Sequence, residues 1–168
     1  MGLFERQGFE ATTVDQIAAA AGVTAMTFFR YFPAKEDVLL DDPYDPMIAA
    51  VVAAQPASLS PLARVTRGLR AAVSQLPEPL GDMTRRRVRI VAQTPGLRAA
   101  VAASTTRTED LIAQALVGPD VAMLQARAAA AAAMAAMTAA MLEWALGAEI
   151  TLGEAANAVL DVLEPRHG

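Results

Sequence analysis

The chain holds 39 alanines among its 168 residues, and from Ala128 to Leu142 it runs 15 residues without a charge. Alanine is the strongest helix former and carries almost no side chain to pack on a pleated surface. With five Phe, two Tyr and one Trp, the chain has few of the bulky residues that strands favour. It therefore predicts an all-α protein. The uncharged run is shorter than the roughly 20 apolar residues that span a bilayer, and no apolar signal core lies near Met1. The expectation is a soluble, cytoplasmic protein with no membrane partner. A chain 54% hydrophobic and 19% charged is not a disordered polar polymer. With no cysteine and a single histidine, His167, disulfides, thiolate metal sites, thiol nucleophiles and histidine triads are set aside. No enzyme activity, metal or cofactor is expected.

Prolines and glycines divide the chain. Residues 1–42 hold all five Phe, and the breaker run DDPYDP begins at Asp41; residues 43–168 form an Ala/Leu/Val/Met/Arg-rich body. In the body, apolar spacings of three and four predict helices over Tyr44–Ala54, from Pro61 to before Pro77, and over Asp82–Gln93. A further helix opens at Pro95 and runs to about Val117, and a long one runs from Pro119 to Gly147. Thr151, with Glu154 three residues on, caps a last helix ending at Glu164.

The segment GFEATTVDQIAAAAGVTAMTFFRYFPAKEDVL, Gly8 to Leu39, carries the functional information. Thr13 caps a helix, with Gln16 as its capping-box partner; Val14, Ile17, Ala18 and Ala21 form its apolar stripe. Gly22 permits a tight turn, Thr24 caps the next helix, and Pro33 stops it. Two short helices joined by a glycine-containing turn form a helix-turn-helix. On the second helix Ala25, Phe28 and Phe32 face inward, whereas Met26, Thr27 and Arg30 face outward and Phe29 and Tyr31 flank them. An outward Arg, Thr and Met suit guanine edges, phosphates and thymine methyls. Tyr31 and Lys35 reach backbone phosphates.

In TTVDQIAAAAGV, TAMTFFRYF and PAKEDVL, in that order, the chain resembles the TetR family of transcriptional repressors. The resemblance implies a positioning helix, a recognition helix and the start of a connecting helix. It implies that Thr13, Tyr31 and Lys35 contact phosphate, and that Thr24, Ala25, Met26, Thr27, Phe29 and Arg30 sit at capping, base-reading or groove-packing positions. It further implies a palindromic operator as DNA partner, a homodimer and a small-molecule effector. Only the last turn of the family's first helix, Leu3 to Gln7, precedes Gly8. Residues 1–40 carry three basic and five acidic side chains, an acidic balance for a DNA-binding unit. That balance motivates an alternative: a helical small-molecule- or protein-binding dimer that no longer binds DNA. The segment DMTRRRVRIVAQTPGLRAAV is similar to the ligand-binding region of mycofactocin-regulator-type members, which implies an apolar or acyl-CoA-like effector.

Three features of the body admit two readings each. Eight of the 14 basic residues lie between Arg64 and Arg98; they form either an anion site or a solvated face paired with acids. Met134, Met137 and Met141 line an adaptable pocket or fill the core. Trp144 lines a pocket or anchors a dimer. The candidate effector pocket comprises Val51, Leu69, Val73, Ile90, Met134, Met137, Met141 and Trp144. The alanine-rich final helices are the expected dimer interface, with Ala139 and Ala156 on it.

Overall fold

The computed structural model describes residues 1–40, 45–75, 82–147 and 149–164. Ten α-helices occur among them: α1 (Gly2–Gln7), α2 (Val14–Ala20), α3 (Ala25–Tyr31), α4 (Asp37–Leu40), α5 (Asp45–Ala53), α6 (Pro61–Gln75), α7 (Asp82–Gln93), α8 (Arg98–Leu116), α9 (Met123–Leu146) and α10 (Leu152–Leu163). No strand appears among the described residues, only a single backbone bridge between Gly118 and Val121. The boundary drawn at residue 42, and Tyr44, Leu76 and His167, lie outside the described residues.

Two boundaries differ from the sequence expectation. Pro95 opens a 3₁₀ turn, Pro95–Leu97, and the α-helix proper begins at Arg98. The long helix starts at Met123 rather than Pro119. Gly118 and Val121 exchange backbone hydrogen bonds around Pro119 and Asp120, which closes a turn there. The Ala122 N–H then donates to the Gln125 side chain at 3.1 Å and sets the start of α9. Thr151 caps α10 as expected: the Glu154 N–H donates to its Oγ1, and the Thr151 N–H donates to the Glu154 carboxylate. These bonds hold the Glu154 carboxyl below the usual carboxylate range.

The main core joins five helices of the body. Val52, Val65, Leu69, Ile112, Leu116 and Leu160 close over the alanine face of α9 at Ala126, Ala130 and Ala133. Small residues on that face let neighbouring backbones approach closely. Ala156, expected at the dimer interface, is 1% exposed within the single chain and belongs to this core. Its position on the inner face of α10 places it next to Leu160, one turn on. A second cluster packs Val88 against Trp144, Ala145 and Leu152. A third holds the N-terminal helices to the body through Phe4, Phe9, Leu39 and Leu97, with Ile90 and Val91 beside them.

α9 is long and apolar enough to cross a membrane by length and composition, but 39% of its most apolar window is buried within the bundle. It is wrapped by α6, α7, α8 and α10.

Within the arginine cluster Arg70 pairs with Asp161 and Glu164 and Arg86 with Glu5, as the acid-paired reading expects, while three others do something neither reading anticipated. Arg85 donates to the Trp144 carbonyl through Nε at 3.1 Å and through a terminal nitrogen at 2.8 Å. Arg89 donates to the Ala145 carbonyl at 3.0 Å. Both close the C-terminal end of α9, where carbonyls lack helical partners and a cation meets the negative end of the helix dipole. Arg64, buried in the core, serves the last carbonyl of α8 at Leu116 in the same way. Arg86 pairs with Glu5 and ties α7 to α1; this guanidinium lowers the Glu5 carboxyl below the usual range.

Candidate functional site

The helix-turn-helix is locally over-determined. Thr13 accepts from the Gln16 N–H at 3.2 Å while the Gln16 side chain accepts from the Thr13 N–H at 3.0 Å. Gln7 donates to the same Gln16 oxygen at 2.8 Å, so α1 helps fix the start of α2. Of the expected α2 stripe, Ala18 is buried and Val14 and Ile17 are half-buried. Ala21 is exposed, because it closes the helix instead of continuing it. Gly22 turns the chain with φ of 70°, a left-handed conformation that glycine adopts without the Cβ penalty. Thr24 then accepts from the Thr27 N–H at 3.1 Å and caps α3.

On α3 the single buried side chain is Phe28, held edge-on by Phe29 at 5.5 Å and tilted against Phe32 at 5.4 Å. Ala25 and Thr27 are half-buried. Met26 is 84% exposed and Tyr31 66% exposed, and Phe29 shares their surface. Large apolar side chains standing in water on a short helix mark a face that expects a partner. Arg30 lies over the Tyr31 ring, 5.0 Å from its centroid, so its guanidinium is presented with a set direction. Thr13 and Thr24 are exposed at the starts of their helices. Eight of the nine expected DNA-contacting residues therefore share the exposed or half-exposed α2–α3 surface. Lys35 does not join them: its ammonium donates to the Phe9 carbonyl at 2.8 Å and covers the Phe9 ring.

Behind this unit, a cavity of about 170 Å³ opens between α4, α5, α6, α7, α8 and α9. Its wall is largely apolar, with Ile48, Leu69, Val88, Val101, Met134, Met137, Met141 and Leu142. Asp45, Arg87, Ser104, Thr105, Thr108 and Thr138 supply the polar positions. Four of the eight residues expected at the pocket line it: Leu69, Met134, Met137 and Met141. The other four lie elsewhere. Val73 packs on the main core, Ile90 joins the cluster under the N-terminal helices, Val51 is half-buried on α5, and Trp144 is buried in the second cluster beneath Arg85. Val73 and Ile90 had the right character but the wrong face of their helices. Sequence reasoning missed Ser104, Thr105 and Thr108. Their signal was present: three hydroxyls at i, i+1 and i+4 form one polar edge of a helix. Leu39, Leu40 and Val91 belong both to this cavity wall and to the cluster that seats the N-terminal helices.

Comparison with known proteins agrees with this arrangement at both ends of the chain. Residues 1–41 match the bacterial regulatory proteins of the tetR family, and residues 59–168 match the MftR C-terminal domain. The HTH-type transcriptional regulator TcmR of Streptomyces glaucescens is 36% identical over 104 residues, 58% of this chain and 46% of TcmR. The chain thus spans about half the length of this relative. The fold is similar to that of Thermus thermophilus FadR, a TetR family repressor solved in complex with lauroyl-CoA. That structure is 24% identical with a TM-score of 0.51, over 100% of this chain and 93% of FadR. A helix-turn-helix that matches at one end and an effector-type helical domain that matches over most of the remainder place the chain in the TetR family of bacterial transcription regulators.

Proposed function

We propose that the protein is a cytoplasmic, homodimeric transcriptional repressor that binds a palindromic operator and is released by a small-molecule effector. The observation that carries this reading is the shared wall. Leu39, Leu40 and Val91 line the cavity and also hold the helix-turn-helix to the body. A molecule that fills the cavity changes the packing of α4 and α7, and with it the seat of α3. Only a difference in effector affinity between the DNA-bound and released states drives release; couplings of about 1–3 kcal/mol are typical of such devices. The second site on the path is the dimer. Leu124, Ala128, Ala131, Ala135, Ala139 and Leu146 form an exposed stripe on α9, and Ala158 and Val162 stand exposed on α10. A second copy of the same surface covers this stripe, which fixes the spacing of two recognition helices to about one turn of DNA.

A specific observation favours the alternative reading, a ligand-binding dimer without DNA affinity: three basic against five acidic residues in 1–40, with the Lys35 ammonium bonded to the Phe9 carbonyl. Selection from randomised duplexes separates the two. The repressor reading expects enrichment of a palindrome with half-sites about one helical turn apart. No enrichment at any salt concentration leaves the alternative standing.

A further inference from the structure

The polar edge of the cavity specifies more about its occupant than size alone, granted the reading of this cavity as the effector site. Three observations converge.

The first is volume. A cavity of about 170 Å³ is of the size that takes up a benzene-like body. The second is charge. The wall carries one acid, Asp45, and one base, Arg87, which cancel formally. Nothing in that balance favours a buried net charge on the ligand, and burying one without compensation is costly. The third is the direction of the hydroxyl hydrogens. Ser104 donates to the Leu40 carbonyl at 3.2 Å, and Thr108 donates to the Asp45 carboxylate at 2.9 Å. Their hydrogens are engaged, so towards the cavity they can only accept. Thr105 and Thr138 differ from helical threonines that bond back to their own helix. Thr106 donates back to the Ala102 carbonyl and Thr66 to the Ala63 carbonyl, each on its own helix, the usual habit of a helical threonine. The Thr105 and Thr138 hydroxyls make no hydrogen bond among the described residues, and both residues line the cavity. They are hydroxyls from two different helices, on α8 and on α9, with both donor and acceptor capacity unused.

We infer that the cavity takes a compact, uncharged molecule of one or two rings bearing at least one hydroxyl, whose hydroxyl is held between Thr105 and Thr138. The apolar body lies among Met134, Met137 and Met141, whose flexible thioethers adapt to its outline. A matched group of probes tests this with the full chain: 1-naphthol, naphthalene, 1-naphthoate and dodecanoyl-CoA, titrated by calorimetry and followed by melting temperature. The expected result is 1-naphthol binding at least tenfold more tightly than the other three. Thr105→Val and Thr138→Val preserve side-chain shape while removing the hydroxyls. The double variant is expected to keep its melting temperature and naphthalene affinity and to bind 1-naphthol no better than naphthalene. If the naphthoate or the CoA thioester binds more tightly than the naphthol, the ligand class is wrong while the effector cavity stands. The same holds if the double variant keeps its preference for the naphthol. If none of the four binds, both the class and the effector-cavity reading fall.

Discussion

Lys35 and Phe9 are joined twice: the ammonium donates to the Phe9 carbonyl at 2.8 Å and sits 4.1 Å from the centroid of the Phe9 ring. They are 26 positions apart in sequence, so this contact closes the N-terminal unit, bringing the start of the connecting segment onto the loop after α1. The same lysine was expected on DNA phosphate. An ammonium held by this half-buried contact contributes to stability first.

Lys35→Ala is therefore expected to lower stability by about 1–3 kcal/mol, the range for a hydrogen bond to a charged group with a cation–π contact added. It should leave the salt slope of DNA binding unchanged. A slope shallower by about one unit, the mark of a lost phosphate contact, would return Lys35 to the DNA surface.

Arg30→Ala behaves differently if Arg30 reads a guanine. The cost is about 1–3 kcal/mol on the selected operator, with little change on a random duplex. Gel-shift titrations on both duplexes decide it. Equal weakening on the two would make Arg30 a phosphate contact only.

Gly68 marks a close approach of α6 to α5. A Cβ there would stand 2.8 Å from the Val52 Cα and 2.5 Å from its Cγ2. Alanine in place of a helical glycine ordinarily gains about 1 kcal/mol. Here the Val52 backbone cannot move aside, and overpacking of this kind costs about 1–3 kcal/mol or more. Gly68→Ala should lower the melting temperature; an increase would mean that α5 and α6 can separate freely.

Two alanine substitutions distinguish the dimer surface from the core. Ala139 is exposed on the α9 stripe, whereas Ala156 is buried beside Leu160. Ala139→Arg should yield a folded monomer by sedimentation, with unchanged helical circular dichroism. Ala156→Arg should lose the fold itself. A dimeric Ala139→Arg protein would move the interface elsewhere.

Acid should weaken the bundle at two identified carboxyls. Thr151 holds Glu154, and Arg86 holds Glu5, below the usual carboxylate range, the hydrogen bonds being the leading cause in each case. Both groups bind fewer protons folded than unfolded. Their contribution is present at neutral pH and is lost as pH falls through the ordinary carboxylate range towards the lowered values. The Glu5→Gln, Glu154→Gln double variant should be less stable at pH 7 and should lose less stability from about pH 5 downward. Parallel curves for variant and parent would remove these two groups from the acid response.

The helix-turn-helix was legible because its rules are local. Thr13 with Gln16, Gly22, and Thr24 each fix backbone within four residues, and the structure repeats that pattern. The cavity was half legible. Met134, Met137 and Met141 announce themselves by spacing, but Val73 and Ile90 look the same as true lining residues until the helix packing is known. Arg85 and Arg89 could not be assigned at all from sequence, since their partners are backbone carbonyls 59 and 56 positions away. Charge patterning sees side chains and is blind to a carbonyl at the end of a distant helix. Ala156 failed for a related reason: an alanine fits an interior and a surface equally well.

The composition of α9 also reaches beyond the folded state. Its 24 residues are dominated by alanine, methionine and leucine. They exceed the roughly 12–15-residue length below which an isolated helix is marginal in water. Such a segment retains fluctuating helix when the surrounding contacts are gone, and residual structure of this kind enters every stability measured against it. The unfolded baseline in urea should therefore keep helical ellipticity from α9, and the denaturant slope should fall below that of a chain exposing all of its surface. Chemical denaturation of this protein then reports the dispersal of the bundle around α9 more than the melting of α9 itself.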